Sequence, residues 1–108
     1  MTRPADEIAN TARGEAVLTV KWRKRRLRPS FAALVAAEDE IGPLFALVER
    51  ASKGELRLAE MTALFWHCLA DRADITREDV GEAIAAQGLA ASAPALRAVL
   101  RQVLQGQE

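Results

Sequence analysis

Pro29 divides this chain between two hydrophobic periods, and that division restricts the fold more than any other feature of the sequence. Before it, Glu15 to Trp22 alternates with a period of two, setting Ala16, Leu18, Val20 and Trp22 on one face and Val17, Thr19 and Lys21 on the other. This run reads as a strand. Arg25-Arg26-Leu27-Arg28 then returns as a second strand, and Pro29 ends the pairing because it has no N–H to donate. The connection lacks the Asn-Gly or Asp-Gly of a tight hairpin turn, which leaves the position of the turn open. After Pro29 the apolar residues recur at helical spacing.

Five helices follow from that spacing. Ser30 caps the first, whose Phe31, Leu34, Val35 and Ile41 share one face, and Gly42-Pro43 closes it. Pro43 suits the first turn of a second helix with Leu44, Leu47, Val48 and Ala51 inward, stopped by Gly54. The third, about Leu58 to Arg72, carries the stripe Met61, Leu64, Phe65, Cys68 and Leu69, widened by Thr62 and Trp66. Only Glu60, His67 and Asp71 give it a polar edge, so it belongs at the centre. For the fourth, Thr76 and Asp79 form a capping box, Ile75 and Val80 a hydrophobic staple, and Gly88 fits the C′ position with Leu89 packing back on Ile84. The fifth runs from a Ser92 cap through Pro94 to Gly106 with Leu96, Val99, Leu100, Val103 and Leu104 at helical spacing. The expected fold class is α+β, mostly α: an N-terminal β-hairpin followed by a bundle of about five helices. Residues 1–13, polar and without a period, are expected to be a flexible N-terminal arm, and residues 14–108 a single domain.

Composition agrees with a packed helical protein, since apolar residues make up 50% of the 108 but aromatics only 5%. The lone Cys68 forms no internal disulfide, and the first residues lack the apolar stretch of a signal peptide, which together suggest the cytoplasm. Charges interrupt every apolar run, so a membrane span is not expected. Net charge is zero, yet the first thirty residues hold eight basic against three acidic side chains. The molecule therefore has a positive end and a negative remainder.

No constellation of catalytic residues emerges. His67 and Cys68 are the only residues of their types, and as helix neighbours they point about 100° apart, so they cannot readily share a metal. There is no glycine-rich phosphate loop. Acidic pairs such as Glu38-Asp39-Glu40 and Glu78-Asp79 read as helix ends and solvated faces. Enzyme activity, cofactors and metals are therefore not expected. The basic residues Arg23, Lys24, Arg25, Arg26 and Arg28 could neutralise phosphates, as a small nucleic-acid-binding regulator would require. Against nucleic acid stand the acidic remainder, a single nearby aromatic, Trp22, and a fourth helix that begins acidic. A solvated hairpin, or a docking surface for an acidic protein segment, suits the basic run better. Trp66, at the margin of the third helix's stripe, reads first as a core-edge residue covered by another helix and second as a candidate anchor for a partner helix. Leu96, Leu100 and Val103 of the last helix are a further candidate, and that helix leaves self-association open.

Three segments carry a family resemblance: Arg13-Gly14-Glu15-Ala16-Val17-Leu18-Thr19-Val20, Leu27-Arg28-Pro29-Ser30-Phe31-Ala32-Ala33-Leu34 and Glu38-Asp39-Glu40-Ile41-Gly42. With Gly88-Leu89-Ala90 near the end, they resemble the tail-assembly proteins of gene transfer agents and related prophages, labelled tail assembly chaperone or tail tube protein. The likeness runs from about Ala12 to the fifth helix. It departs at the hairpin turn, where the family tends to carry Asp or Asn with Gly and this chain reads Lys21-Trp22-Arg23-Lys24. The resemblance implies a non-catalytic chaperone that holds the long, mostly helical tape-measure protein and helps recruit tail-tube protein in the bacterial cytoplasm. It leaves room for a structural component retained in the particle.

Overall fold

The computed structural model describes residues 16–105. The expected arm at residues 1–13 and the helix stop at Gly106 lie outside the described residues. Strands β1 (Ala16–Val20) and β2 (Arg23–Leu27) form an antiparallel hairpin whose register runs from Ala16 opposite Leu27 to Val20 opposite Arg23. Ala16, Leu18 and Val20 are buried as the alternation requires. Trp22 is not on that face: the strand ends at Val20, and Lys21 and Trp22 form a two-residue turn with φ of 51° and 65°. Positive φ at both central residues gives the twist a tight hairpin needs, at a cost of roughly 1–2 kcal/mol for each residue bearing a Cβ. The second strand thus starts two residues before Arg25 and takes in most of the basic run.

Helices α1 (Phe31–Ile41), α2 (Leu44–Ser52), α3 (Leu58–Cys68), α4 (Arg77–Gln87) and α5 (Leu89–Gln105) complete the chain. α3 lies at the centre, with α1 and α4 against it. α4 and α5 pack on β1, and α2 bridges α1 and α5. The fully buried side chains include Leu27, Leu47, Leu64, Phe65, Val80, Ile84 and Val99, drawn from five elements into one core.

The helix signals succeed where they are local. The Ser30 hydroxyl accepts from the Ala33 amide at 3.2 Å. In the Thr76 box, Oγ1 accepts from the Asp79 amide at 3.1 Å and the Asp79 carboxylate accepts from the Thr76 amide at 2.9 Å. Five expectations fail, most of them because packing overrides the local signal. In α1 the buried residues are Ala33 and Ala37, while Phe31 and Val35 face out: two alanines four apart let α1 approach α3 closely, as larger side chains would not. α3 stops at Cys68, not Arg72, because the next residues pair with the hairpin; Leu69 bridges Leu27, and the Ala70 amide donates to the Arg26 carbonyl at 3.0 Å. That segment covers the outer edge of β2, which would otherwise expose unpaired backbone. Leu89 does not pack on Ile84, because α5 starts directly after Gly88 and leaves Leu89 exposed. Ser92 is accordingly no cap but a buried residue inside α5, and its hydroxyl has no hydrogen-bond partner. Pro43 sits one position earlier than expected, at the N-cap of α2.

Two substitutions test this description by chemical denaturation. Phe65→Ala, at the fully buried centre of α3, is expected to cost about 3–5 kcal/mol. Trp22→Gly is expected to stabilise the fold by about 1 kcal/mol, since it relieves a left-handed turn residue that buries almost nothing.

Candidate functional site

The apolar arc of α5 is wider than the core that α5 meets. Ala95, Ala98 and Val99 turn inward, while Leu96, Leu100 and Leu104 lie further round the same helix, with Leu104 53% exposed. Opposite them stand Val48 and Ala51 of α2. Between the two helices runs a groove of about 520 Å³ with an apolar floor. Arg97 and Arg101, four residues apart on α5, stand at its rim. Neither makes an ion pair among the described residues.

The α2 wall is held from behind. Glu60 of α3 accepts from the Arg50 guanidinium at 2.7 Å and from the Arg57 amide at 3.0 Å. Arg50, and then the Arg57 amide, hold the Glu60 carboxyl at about 2, below its ordinary 4.5. Glu40 of α1 plays the same part on the other side of α3, where it binds both His67 and the Arg77 guanidinium of α4. Arg77 first, then His67, hold the Glu40 carboxyl at about 2. His67 thus pairs with Glu40, and Glu60 and Asp71 have other partners.

The structure separates the residues that the sequence offered as a site. Leu96 and Leu100 line the groove, and Val103 is half-buried beside it. Trp66 is half-buried and takes no part: the guanidinium groups of Arg72 and Arg77 cover its ring at 4.9 and 6.0 Å from the centroid, a cation–π arrangement. Trp22 stands exposed on the hairpin tip. The basic run is divided. Arg25 faces the core, opposite Leu18, and donates from Nε to the Val20 carbonyl at 3.1 Å and from Nη1 to Asp74 at 2.7 Å. Arg23 reaches the same carboxylate at 3.1 Å, and Lys21 pairs with Asp79 at 3.4 Å. Arg25 first among these groups holds the Asp74 carboxyl below its usual range. Lys24 and Arg28 are exposed and Arg26 is half-buried. Sequence reasoning missed Arg97 and Arg101; their i, i+4 spacing along the edge of an apolar stripe was the available signal. It also missed the inward turn of Arg25, which period-two alternation back from Leu27 would have given.

Among the described residues there is no cluster of three or more His, Cys, Asp or Glu able to hold a metal. Burial pushes the Cys68 thiol up to about 12, far from a reactive thiolate. No single described helix is long and apolar enough to cross a membrane; α4 and α5 reach that length only together, across a 120° bend.

A family model described as "Phage tail tube protein, GTA-gp10" matches residues 13–106. No curated protein and no solved structure matches the chain.

Two predictions follow from the electrostatics. Carboxyls whose folded value lies below the unfolded one stabilise the fold above the unfolded value and lose that contribution as pH falls through the folded value. The unfolding midpoint should therefore fall between pH 4.5 and about 2, and the double variant Glu40→Gln/Glu60→Gln should show a flatter dependence in that window in thermal melts. The effect is modest because the Glu40 pair is 40% exposed at its carboxylate. Cys68 should resist alkylation at about pH 8 in the folded protein and react once it is denatured, as read by mass spectrometry.

Proposed function

The chain belongs to the phage tail tube protein family GTA-gp10, and from that membership we propose that it is a non-catalytic tail assembly chaperone, one that seats a helical segment of the tape-measure protein between α2 and α5. Membership gives the chain a structural or assembly role in a phage-like tail. The groove carries the finer reading. Its floor of Val48, Ala51, Leu96, Leu100 and Leu104 is the apolar half of a helix–helix interface, left without its other half. A tape-measure protein is long and mostly helical, so before assembly it exposes amphipathic stripes that need such a surface. Arg97 and Arg101 favour a client stripe flanked by Asp or Glu and raise its rate of encounter.

Chaperone work requires reversible binding. A groove of about 520 Å³ accepts two or three side-chain anchors rather than a whole helix face, which suits release when the tail tube closes round its tape measure. Recruitment of tail-tube protein by the same complex, in the host cytoplasm, completes the proposed role. The nucleic-acid reading loses support, because Arg23 and Arg25 share Asp74 and Lys21 pairs with Asp79.

Co-expression with the tape-measure protein of the same tail tests this. Wild-type chain should keep the client in the soluble fraction, and Leu96→Glu/Leu104→Glu should lose at least about tenfold in retained client, equivalent to ~1.4 kcal/mol. Both positions are partly exposed, so the variant should fold as wild type by circular dichroism. Retention unaffected by that substitution would rule out the groove.

A further inference from the structure

Two surfaces outside the α2–α5 groove complement one another. The first is the hairpin tip. Trp22 is 94% exposed, and the left-handed backbone beneath it is one that Asn or Gly would adopt without strain. A large aromatic held in a strained turn with no intramolecular burial is unexplained by folding and suits an interface, where tryptophan is over-represented. Lys24 stands exposed beside it, and the Lys21–Asp79 and Arg23–Asp74 pairs brace the turn from below.

The second surface is a cleft of about 560 Å³ between α3 and α4. Ala59, Thr62, Gly81 and Ala85 line it with Glu78 and Glu82, and the Glu40–Arg77 ion pair closes one side with its own charges matched, so the cleft's unpaired charge is negative. Glu78 and Glu82 are four residues apart on α4, so they share an edge and repel one another. Neither has an ion-pair partner among the described residues.

The tip cannot reach the cleft of its own chain. The Lys21–Asp79 pair and the hydrogen bond from the Gln87 side chain to the Thr19 carbonyl put the hairpin on the side of α4 that carries Asp79 and Gln87. At 3.6 residues per turn, Glu78, Gly81, Glu82 and Ala85 lie round on the other side of that helix. We propose that the chain self-associates head to tail, with Trp22 of one copy seated in the α3–α4 cleft of the next and Lys24 facing Glu78 and Glu82. Each such contact leaves a free tip at one end and a free cleft at the other, so copies add into a ring or a short filament. This assignment stands apart from the client groove, which involves neither surface.

Sedimentation of the full-length chain over a range of concentrations is the test, with Trp22→Gly as the tip variant and Glu78→Gln/Glu82→Lys as the cleft variant. Wild type should gain mass with concentration, less so at high salt, and each variant should associate about tenfold or more weakly. Mixed in equal amounts, the two variants should form a heterodimer and nothing larger, because one retains only the cleft and the other only the tip. Since Trp22→Gly relieves the turn, its loss of association cannot be assigned to unfolding, and its melting midpoint provides the control. A wild type that stays monomeric at every concentration would overturn the proposal. So would a Trp22→Gly chain that associates like wild type, variants that fail to combine, or a Trp22→Gly chain that loses only its tape-measure client.

Discussion

Met61 to Phe65 of α3 are buried without interruption, so a full turn and more of this helix must be covered from every direction. One bundle neighbour covers one stripe, and here α1 and α4 cover two. The end of the helix is secured by the hairpin instead, where Leu69 bridges Leu27 and the strand edge is closed by the chain leaving α3. A two-stranded hairpin is marginal alone in water, and without it the Cys68–Leu69 end of the helix would lose the strand edge it pairs with. Each supplies what the other lacks, and the remaining elements are arranged round that junction.

Ion pairs locate these elements more than they stabilise them. Glu40 joins α1 to α3 and α4, Glu60 joins α3 to α2, and Asp74 joins the loop before α4 to both arginines on the core side of β2. All three carboxylates lie at or near the surface, where such pairs are worth little individually. Their effect is positional. The buried Arg25 guanidinium needs Asp74 and the Val20 carbonyl to satisfy its donors, and that need fixes how the hairpin meets the helices.

Local signals in the chain were enough for the element order, the Ser30 and Thr76 caps and the central stripe of α3, because each depends on residues within a turn or two of one another. Facing was legible in α3, where the apolar stripe itself is buried, and illegible in α1. α1 turns its alanines inward against its larger residues, since closeness to α3 outweighs the area that Phe31 and Val35 would bury. The turn at Lys21-Trp22 defies residue preference because strand register and the ion pairs beneath it decide its place. Leu96 and Leu100 were visible as part of a stripe, but that the stripe is too wide for its core depends on where α2 stops short. The acidic cleft could not be read at all, because Ala59 and Glu82 meet only through the packing of α3 on α4.

A family that works in phage-like tails and a groove with an apolar floor and arginine rim both support the proposed role in binding a helical partner. Hydrogen exchange of the full-length chain, alone and with the tape-measure protein of its tail, tests that claim most directly. Amides of Leu44–Ser52 and Leu89–Gln105 should gain protection in the complex while those of β1 and β2 stay unchanged. Protection confined to the hairpin, or no change in α2 and α5, would contradict it.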